Sequence, residues 1–184
     1  MRRCSSITRT GPVRASGFTL MELMLTLALG AILMAVAVPM FNGMTANNRL
    51  ISQSNEFISV VNFARSEAIT RNTAITLCRA DAETDTECST DDEDWHAWIV
   101  RNAAGDVLRA GTVNTFGDLI HVTSDLSDQS ISFQADGLAR TAGGLVADKS
   151  MWICTSQDVD QNYRIVTFGA GSRLSVTKAK DTCP

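Results

Sequence analysis

A single carboxylate, Glu22, stands at the head of an apolar segment that is long enough to enter a membrane. From Leu23 to Val38 the sequence reads LMLTLALGAILMAVAV and contains no charged residue. A carboxylate in a membrane segment costs on the order of 2–3 kcal/mol or more, and less near the interface, so it marks a functional site by default. We therefore expect the function of this chain to use Glu22.

Cysteines are the next residues with chemistry of their own. Cys4 falls in the basic N-terminal segment and should stay cytoplasmic, and the other four allow three pairings. Disulfides form in exported proteins. Cys78 and Cys88 bracket a nine-residue loop, and Cys154 could hold Cys183 and so fix the C-terminal tail. The sequence favours this local pairing, with some thiols left free as the alternative. Neither pair has C-x-x-C spacing, so no metal site is predicted.

Catalytic and metal-binding motifs find little support in this sequence. Segment 81–94 contains eight acids but lacks the glycine and the ligand spacing of an EF-hand loop, so we expect a solvated surface loop. Residues 169–173 (GAGSR) do not match G-x-S-x-G. His96 lies between two tryptophans and is expected to be a packed or edge residue, and His121 should lie on the polar face of a strand. We predict no enzymatic activity and no cofactor.

One basic cluster stands out in an otherwise acidic chain. Residues 18–184 contain 12 basic and 20 acidic residues, a formal charge of −8, yet residues 161–180 contain four basic residues and no acid. The four are Arg164, Arg173, Lys178 and Lys180. Such a cluster could contact phosphates. The favoured alternative is a strand that turns Arg173, Ser175 and Thr177 outward, and the acidic loop would repel DNA unless it faces away.

The N-terminal elements predict export and a membrane helix. Residues 1–17 carry four arginines and no acid, which keeps this end cytoplasmic ahead of an apolar segment. Residues 18–41 would form roughly 36 Å of helix, enough to cross a bilayer core of about 30 Å. Pro39 should kink or loosen that helix. There are two alternatives. The segment could be a signal peptide cleaved after the A-x-A sequence at 35–37, or it could be a simple single-span membrane anchor in which Glu22 has no function.

The rest of the chain predicts an α+β fold. In residues 42–72 apolar or small residues recur at alternating spacings of four and three, which indicates one long helix from Thr19 to Arg71. They are Leu50, Ser54, Phe57, Val61, Ala64 and Ala68. Residues 73–184 favour an antiparallel β head with a core around four aromatics. The expected strands are 74–78, 97–101, 106–109, 119–123, 130–134, 151–154, 163–168 and 173–177, and the expected core aromatics are Trp98, Phe133, Trp152 and Phe168.

The stretch GFTLME, residues 17–22, resembles the type III prepilin signal of type IV pilins and type II secretion pseudopilins. The resemblance implies that a prepilin peptidase cuts between Gly17 and Phe18, that Phe18 is then N-methylated, and that the helix is retained. It also implies that Glu22, the fifth residue of the mature chain, pairs with the N-terminal amine of a neighbouring subunit during assembly. Pro39 falls where these proteins usually have a helix-loosening proline.

NEFISVVNFARSEAITRN, residues 55–72, looks like the helix signature of the GspH/FimT group of minor pseudopilins. Membership implies a lollipop-shaped subunit, single-pass in the bacterial inner membrane with its head in the periplasm, which then joins the tip or priming complex of a pilus or pseudopilus. The partners implied are the prepilin peptidase, other minor and major pilins, the inner-membrane assembly platform and lipid.

The resemblance leaves two questions about function open. Both a type IV pilus and a type II secretion system use the same helix and head, so the machine is not decided. Some FimT-like members bind DNA for natural transformation through a basic C-terminal region. This chain has a single arginine, Arg173, close after Gly171, whereas a glycine-arginine pair followed by further arginines would be expected for that role.

Overall fold

The structure is a computed structural model that describes residues 17–183, without the side chains at 38–40. The expectations for the basic leader and for Cys4 therefore lie outside the described residues, and the kink or loosening expected at Pro39 stays a prediction. The chain divides after Met40 into two compact units. Helix α1 runs from Leu20 to Arg71, so the prediction of one long helix is confirmed to within a residue at its start.

Helix α1 ends where its C-terminal stop was expected. Asn72 has φ +52°, the left-handed conformation that closes many helices, and asparagine tolerates it better than most residues. The N–H of Thr73 donates to the carbonyl of Ala68 at 3.3 Å, which satisfies one carbonyl of the last turn. Glu67 and Arg71 form an i,i+4 ion pair in the favoured order. The helix thus ends directly before the first strand.

Ten strands follow α1 in the second unit. They are β1 Ile75–Ala80, β2 Ala97–Asn102, β3 Val107–Thr112, β4 Ile120–Ser124, β5 Ser130–Phe133, β6 Ala139–Thr141, β7 Gly144–Leu145, β8 Lys149–Thr155, β9 Tyr163–Gly169 and β10 Arg173–Ala179. All eight predicted strands are present, with ends displaced by at most three residues. The two that the sequence did not indicate, β6 and β7, contain only three and two residues, too few for a period-two pattern.

The strands form two antiparallel sheets. The larger has the order β3-β2-β1-β5-β6-β7, and the smaller has the order β10-β9-β8-β4. The predicted α+β fold, with a long helix and an antiparallel β part, is confirmed. Buried positions of α1 in the second unit repeat with the predicted helical spacing and join the sheet residues in one hydrophobic core. Phe57 of α1 joins this core, and its ring packs edge-to-face with Trp95 at 6.1 Å and with Phe168 at 6.3 Å.

Three of the four expected core aromatics are buried, and the fourth expectation is wrong. Trp98, Phe133 and Phe168 belong to the core, whereas Trp152 is only partly buried. In β8 the inward positions are Met151 and Ile153, so the side chain between them faces the opposite side of the sheet.

Trp95 is a core tryptophan that the sequence pattern did not indicate. It is 1% exposed, and its Nε1–H donates to Gln129 Oε1 at 3.0 Å. This hydrogen bond satisfies the indole N–H that burial would otherwise leave without a partner.

Candidate functional site

The start of α1 is organised around Thr19. Its Oγ1 accepts the backbone N–H of Glu22 at 3.2 Å, and its carbonyl accepts the N–H of Leu23 at 3.2 Å. Thr19 is therefore the N-cap, and Glu22 occupies the third helical position, in the spacing of a capping box. A negative side chain in the first turn is also favoured by the helix dipole. Sequence reasoning missed Thr19, although its T-x-x-E spacing carried the signal.

The expected cleavage site lies just outside this cap. Gly17, Phe18 and Thr19 are not helical, and the Phe18 side chain is 84% exposed. The Gly17–Phe18 peptide bond therefore precedes the helix and takes no part in its hydrogen bonds. A peptidase that acts on extended backbone could reach this bond without unwinding α1.

The first unit presents an apolar helix surface without cover. Twelve large apolar side chains of residues 18–37 are more than half exposed. They are Phe18, Leu20, Met21, Leu23, Met24, Leu25, Leu27, Leu29, Ile32, Leu33, Met34 and Val36. Burying each one gains about 1.5–3 kcal/mol, so together they favour an apolar environment by on the order of 20–35 kcal/mol. By length and composition α1 is the one helix in the described residues able to cross a membrane.

Both disulfides of the favoured pairing are formed. Cys78 joins Cys88 with 5.6 Å between the Cα atoms, and Cys154 joins Cys183 with 5.8 Å between them. The tail next to Cys183 is also hydrogen-bonded, because Tyr163 Oη donates to the carbonyl of Thr182 at 2.5 Å. Burial, and secondly the nearby Asp181 carboxylate, raise the pKa of Tyr163, so its hydroxyl stays protonated as a donor.

The acidic segment 81–94 is a surface loop, as expected, and one buried arginine organises it. Arg79 is 1% exposed, and its guanidinium contacts Asp81 Oδ1 at 3.1 Å, Glu93 Oε2 at 3.4 Å and the carbonyl of Asp94 at 3.1 Å. Most of the loop's carboxylates remain exposed to solvent.

The two histidines lie near this loop and do not share a site. His121 is partly buried on β4, and its Nδ1 lies 2.7 Å from Asp94 Oδ2, which ties the loop to the smaller sheet. His96 is exposed directly before β2 rather than packed between the tryptophans on either side.

The four basic residues of the C-terminal cluster do not form one surface. Arg164 is 2% exposed, which counts against the less favoured possibility that it contacts DNA: β9 alternates, and this position faces inward beside Val166 and Phe168. Arg173, Lys178 and Lys180 are exposed on or after β10, and Lys180 Nζ lies 3.6 Å from Asp158 Oδ1.

Arg164 instead contacts neutral groups inside the second unit. Its Nη1 donates to the carbonyls of Gln161 at 2.9 Å and Tyr163 at 2.7 Å, and its Nη2 donates to Asn47 Oδ1 of α1. Its Nε has no hydrogen-bond partner, and burial lowers the pKa of the guanidinium.

A capped apolar helix with one carboxylate in its first turn, followed by an antiparallel β unit, defines a type IV pilin-like protein. Comparison with protein families agrees with this class. The family model described as the prokaryotic N-terminal methylation motif matches residues 13–38, and that described as type II transport protein GspH matches residues 53–171. The second match covers well over half of the chain, so the chain belongs to the GspH family. A search of curated proteins found no match.

Two solved structures of one minor pilin share the fold. Two crystal forms of the type IV minor pilin FimU from Pseudomonas aeruginosa are each 20% identical to this chain. They superpose with TM-scores of 0.50 and 0.53, over 70% and 73% of this chain and 92% of FimU. The minor pseudopilin EpsH from the type 2 secretion system of Vibrio cholerae is 12% identical, with a TM-score of 0.47 over 70% of this chain and 94% of EpsH.

Proposed function

We propose that this chain is a minor pilin or pseudopilin that assembles through α1 into a type IV pilus or a type II secretion pseudopilus, at the tip or in the priming complex. Prepilin peptidase would cleave between Gly17 and Phe18, and the new N-terminus of Phe18 would be methylated. Before assembly the mature chain would be anchored in the inner membrane, with its second unit in the periplasm. Its apolar helix would then pack against other pilins at the assembly platform.

The observation that carries this proposal is the position of Glu22. It is the one charged side chain among residues 18–48, and it lies in the first turn of a helix whose apolar side chains are exposed. Lipid or a bundle of similar helices would cover those side chains, but either would leave the carboxylate in an apolar medium. The N-terminal amine of Phe18 in a neighbouring subunit would supply the opposite charge.

Substitution of Glu22 tests the proposal. Removing one partner of a buried ion pair costs about 3–5 kcal/mol, because the other charge is left uncompensated. Since every 1.4 kcal/mol is tenfold in an equilibrium, Glu22→Gln should reduce incorporation into filaments by at least about 100-fold. Incorporation is measured by immunoblotting sheared filaments against the membrane fraction of the same cells. The matched control is Glu83→Gln, which removes one exposed carboxylate of the acidic loop.

Two further readouts separate processing from assembly. Mass spectrometry of the Glu22→Gln chain should still find an N-terminus at Phe18, since cleavage precedes docking. Incorporation of Glu22→Gln at the level of the unmodified chain would refute the proposed role of the carboxylate. An unprocessed chain would place the defect at the peptidase instead. Deleting the chain should reduce piliation or secretion, and the function that is lost identifies the machine.

DNA binding through the C-terminal cluster is the weaker candidate. Arg164 is buried and Lys180 is close to Asp158, which leaves Arg173 and Lys178 as exposed basic groups without a carboxylate within 4.0 Å among the described residues. A gel-shift with double-stranded DNA at low salt tests this candidate. A shift that weakens with salt and with Arg173→Ala or Lys178→Ala would support it.

A further inference from the structure

A groove in the second unit runs between α1 and the turn that joins β9 to β10. Its apolar floor is formed by Ile58, Phe133 and Leu174, and two arginines, Arg65 and Arg173, line it. Asn62 and Ser172 add polar groups to the same groove. We call it the arginine groove. It combines positive charge with apolar surface, the two features that an acidic and partly apolar peptide segment would contact.

The backbone holds the Arg65 side chain in place. Its Nη1 donates to the carbonyl of Ser172 at 3.5 Å, and its Nε lies 3.3 Å from the position that a Cβ on Gly137 would occupy. Ser172 is itself fixed, because its buried Oγ accepts the N–H of Ala139 at 2.6 Å. The Arg65 guanidinium is therefore positioned by two turns before any ligand arrives, which reduces the entropy lost on binding.

The charge of the arginine groove is not neutralised within the chain. Five basic side chains of the second unit have a carboxylate within 4.0 Å: Arg71, Arg79, Arg140, Lys149 and Lys180. Of the other seven, Arg49 and Arg109 lie over aromatic rings, Arg65 and Arg101 each donate to one backbone carbonyl, and Arg164 is buried. Arg173 and Lys178 make no such contact among the residues that the structure describes. Arg65 and Arg173 share the groove, and neither has a carboxylate within 4.0 Å in the described part of the chain.

The acid in the turn beside the groove is already paired. Asp136 precedes Gly137, but its two carboxylate oxygens accept hydrogen bonds from Arg140 at 3.0 and 2.7 Å. It is therefore not available to Arg65. A carboxylate that neutralises the arginine groove has to come from another molecule.

The surroundings favour a carboxylate of a protein over the phosphates of a nucleic acid. Residues 41–184 contain 12 basic and 19 acidic residues, a formal charge of −7, which repels a polyanion over distances of about 10 Å at 0.1 M salt. A short acidic segment can avoid that field and place its apolar side chains on Ile58 and Leu174, which are both partly exposed in the groove.

From these contacts we propose that the arginine groove docks an acidic, partly apolar segment of a partner pilin-like subunit, with Arg65 and Arg173 binding its carboxylates. The nature of the partner rests on the proposed assembly function. The groove itself lies on different residues from Glu22, so the two sites can be tested separately.

The test measures binding of a defined probe to the full mature chain in detergent micelles. The probe is a fluorescein-labelled, C-terminally amidated hexapeptide of alternating glutamate and leucine, and fluorescence anisotropy reports its binding. The matched probe has glutamine in place of glutamate. We expect the glutamate peptide to bind at least about tenfold more tightly, because charge-assisted hydrogen bonds to arginine are about twice as strong as neutral ones.

Variants then locate the binding site. Arg173→Gln and Arg65→Gln should each weaken binding about five- to tenfold, and Lys178→Gln, which removes an exposed charge outside the groove, should leave it unchanged. Arg173 donates no side-chain hydrogen bond in the described part of the chain, so its substitution leaves the fold intact even where Arg65→Gln does not. Equal weakening by all three variants would mean nonspecific attraction and overturn the proposal.

Two other outcomes would also overturn it. The first is equal binding of the glutamate and glutamine peptides. The second is that a 12-base-pair DNA binds more tightly than the glutamate peptide and depends on both arginines in the same way, which would make the groove a phosphate site. Glu22→Gln serves as the control between the two proposals. This variant should bind the glutamate peptide as tightly as the unmodified chain but should not be incorporated into filaments. Peptide binding therefore tests the groove, and filament incorporation separately tests the role of Glu22.

Discussion

The buried guanidinium of Arg164 gives a sharp prediction about stability. It is 2% exposed, no carboxylate of the described residues lies within 4.0 Å, and its Nε has no hydrogen-bond partner. Burial of a charged group costs several kcal/mol, while each hydrogen bond from a charged donor returns about 1.5–3 kcal/mol. Arg164→Met keeps most of the apolar stem and removes the charge, and Arg164→Ala removes both.

The balance of these terms predicts a small effect for the first variant and a larger one for the second. The three acceptors of Arg164 are neutral, so its removal leaves no opposite charge without a partner, and all three belong to residues that are not fully buried, Asn47, Gln161 and Tyr163. We therefore expect Arg164→Met to lower the free energy of unfolding by about 1–2 kcal/mol. Arg164→Ala removes three further heavy atoms at about 0.8 kcal/mol each and should cost about 3–4 kcal/mol.

Urea unfolding of the mature chain in micelles, followed by tryptophan fluorescence, measures both values, because Trp95 and Trp98 are buried in the second unit. Arg173→Met is the matched control on an exposed strand position and should change stability by less than about 0.5 kcal/mol. A loss above about 4 kcal/mol for Arg164→Met would show that the charge has an ionic partner. Equal losses for Arg164→Met and Arg164→Ala would show that burial of the stem contributes nothing.

Two further predictions concern the second unit and use the same urea assay. The Cys154–Cys183 bond closes a loop of sequence separation 29 and the Cys78–Cys88 bond one of 10, so chain entropy predicts losses of about 3.6 and about 2.7 kcal/mol when each pair is replaced by alanine. A larger loss for the 78–88 pair would contradict this entropic account. Hydrogen bonds from Arg140 hold the pKa of Asp136 at about 2, below the usual aspartate value of 3.8. A carboxyl whose pKa is lowered by folding contributes stability above about pH 4 and loses it as the pH falls toward 2, so the urea midpoint of Asp136→Asn should change less than that of the unmodified chain between pH 4.5 and 2.5. An equal acid dependence in both proteins would remove Asp136 as a contributor.

Local patterns predicted much of this protein because they depend on residues close together in the chain. The first-turn acid and the apolar run both lie within residues 18–38, and helix formation needs only such near neighbours. The eight predicted strands follow from β-branched and aromatic runs between turns. The favoured disulfide pairing was also local, since its shorter loop spans only ten residues.

The predictions failed for side chains whose burial depends on which face of the sheet their strand position points to. Trp152 and Arg164 occupy strands that the sequence placed correctly, yet the alternation of β8 and β9 turns the tryptophan outward and the arginine inward. A shift of one residue in register would exchange the two faces, and the sequence contains no local signal that fixes this phase for a polar or amphipathic side chain.

The sequence by itself determined the long helix, eight of the ten strands and the N-terminal methylation motif that contains Glu22, because each rests on contiguous residues. Only the tertiary structure decided which charges are exposed and which are brought together. Arg65 and Arg173 are 108 positions apart, and they share one groove because α1 packs beside the turn between β9 and β10. Arg164 and Lys178 are register partners on neighbouring strands, yet only Arg164 is covered, because Asn47 of α1 lies against it. The electrostatic surface of the second unit thus depends on packing between distant elements, which no periodicity in the chain records.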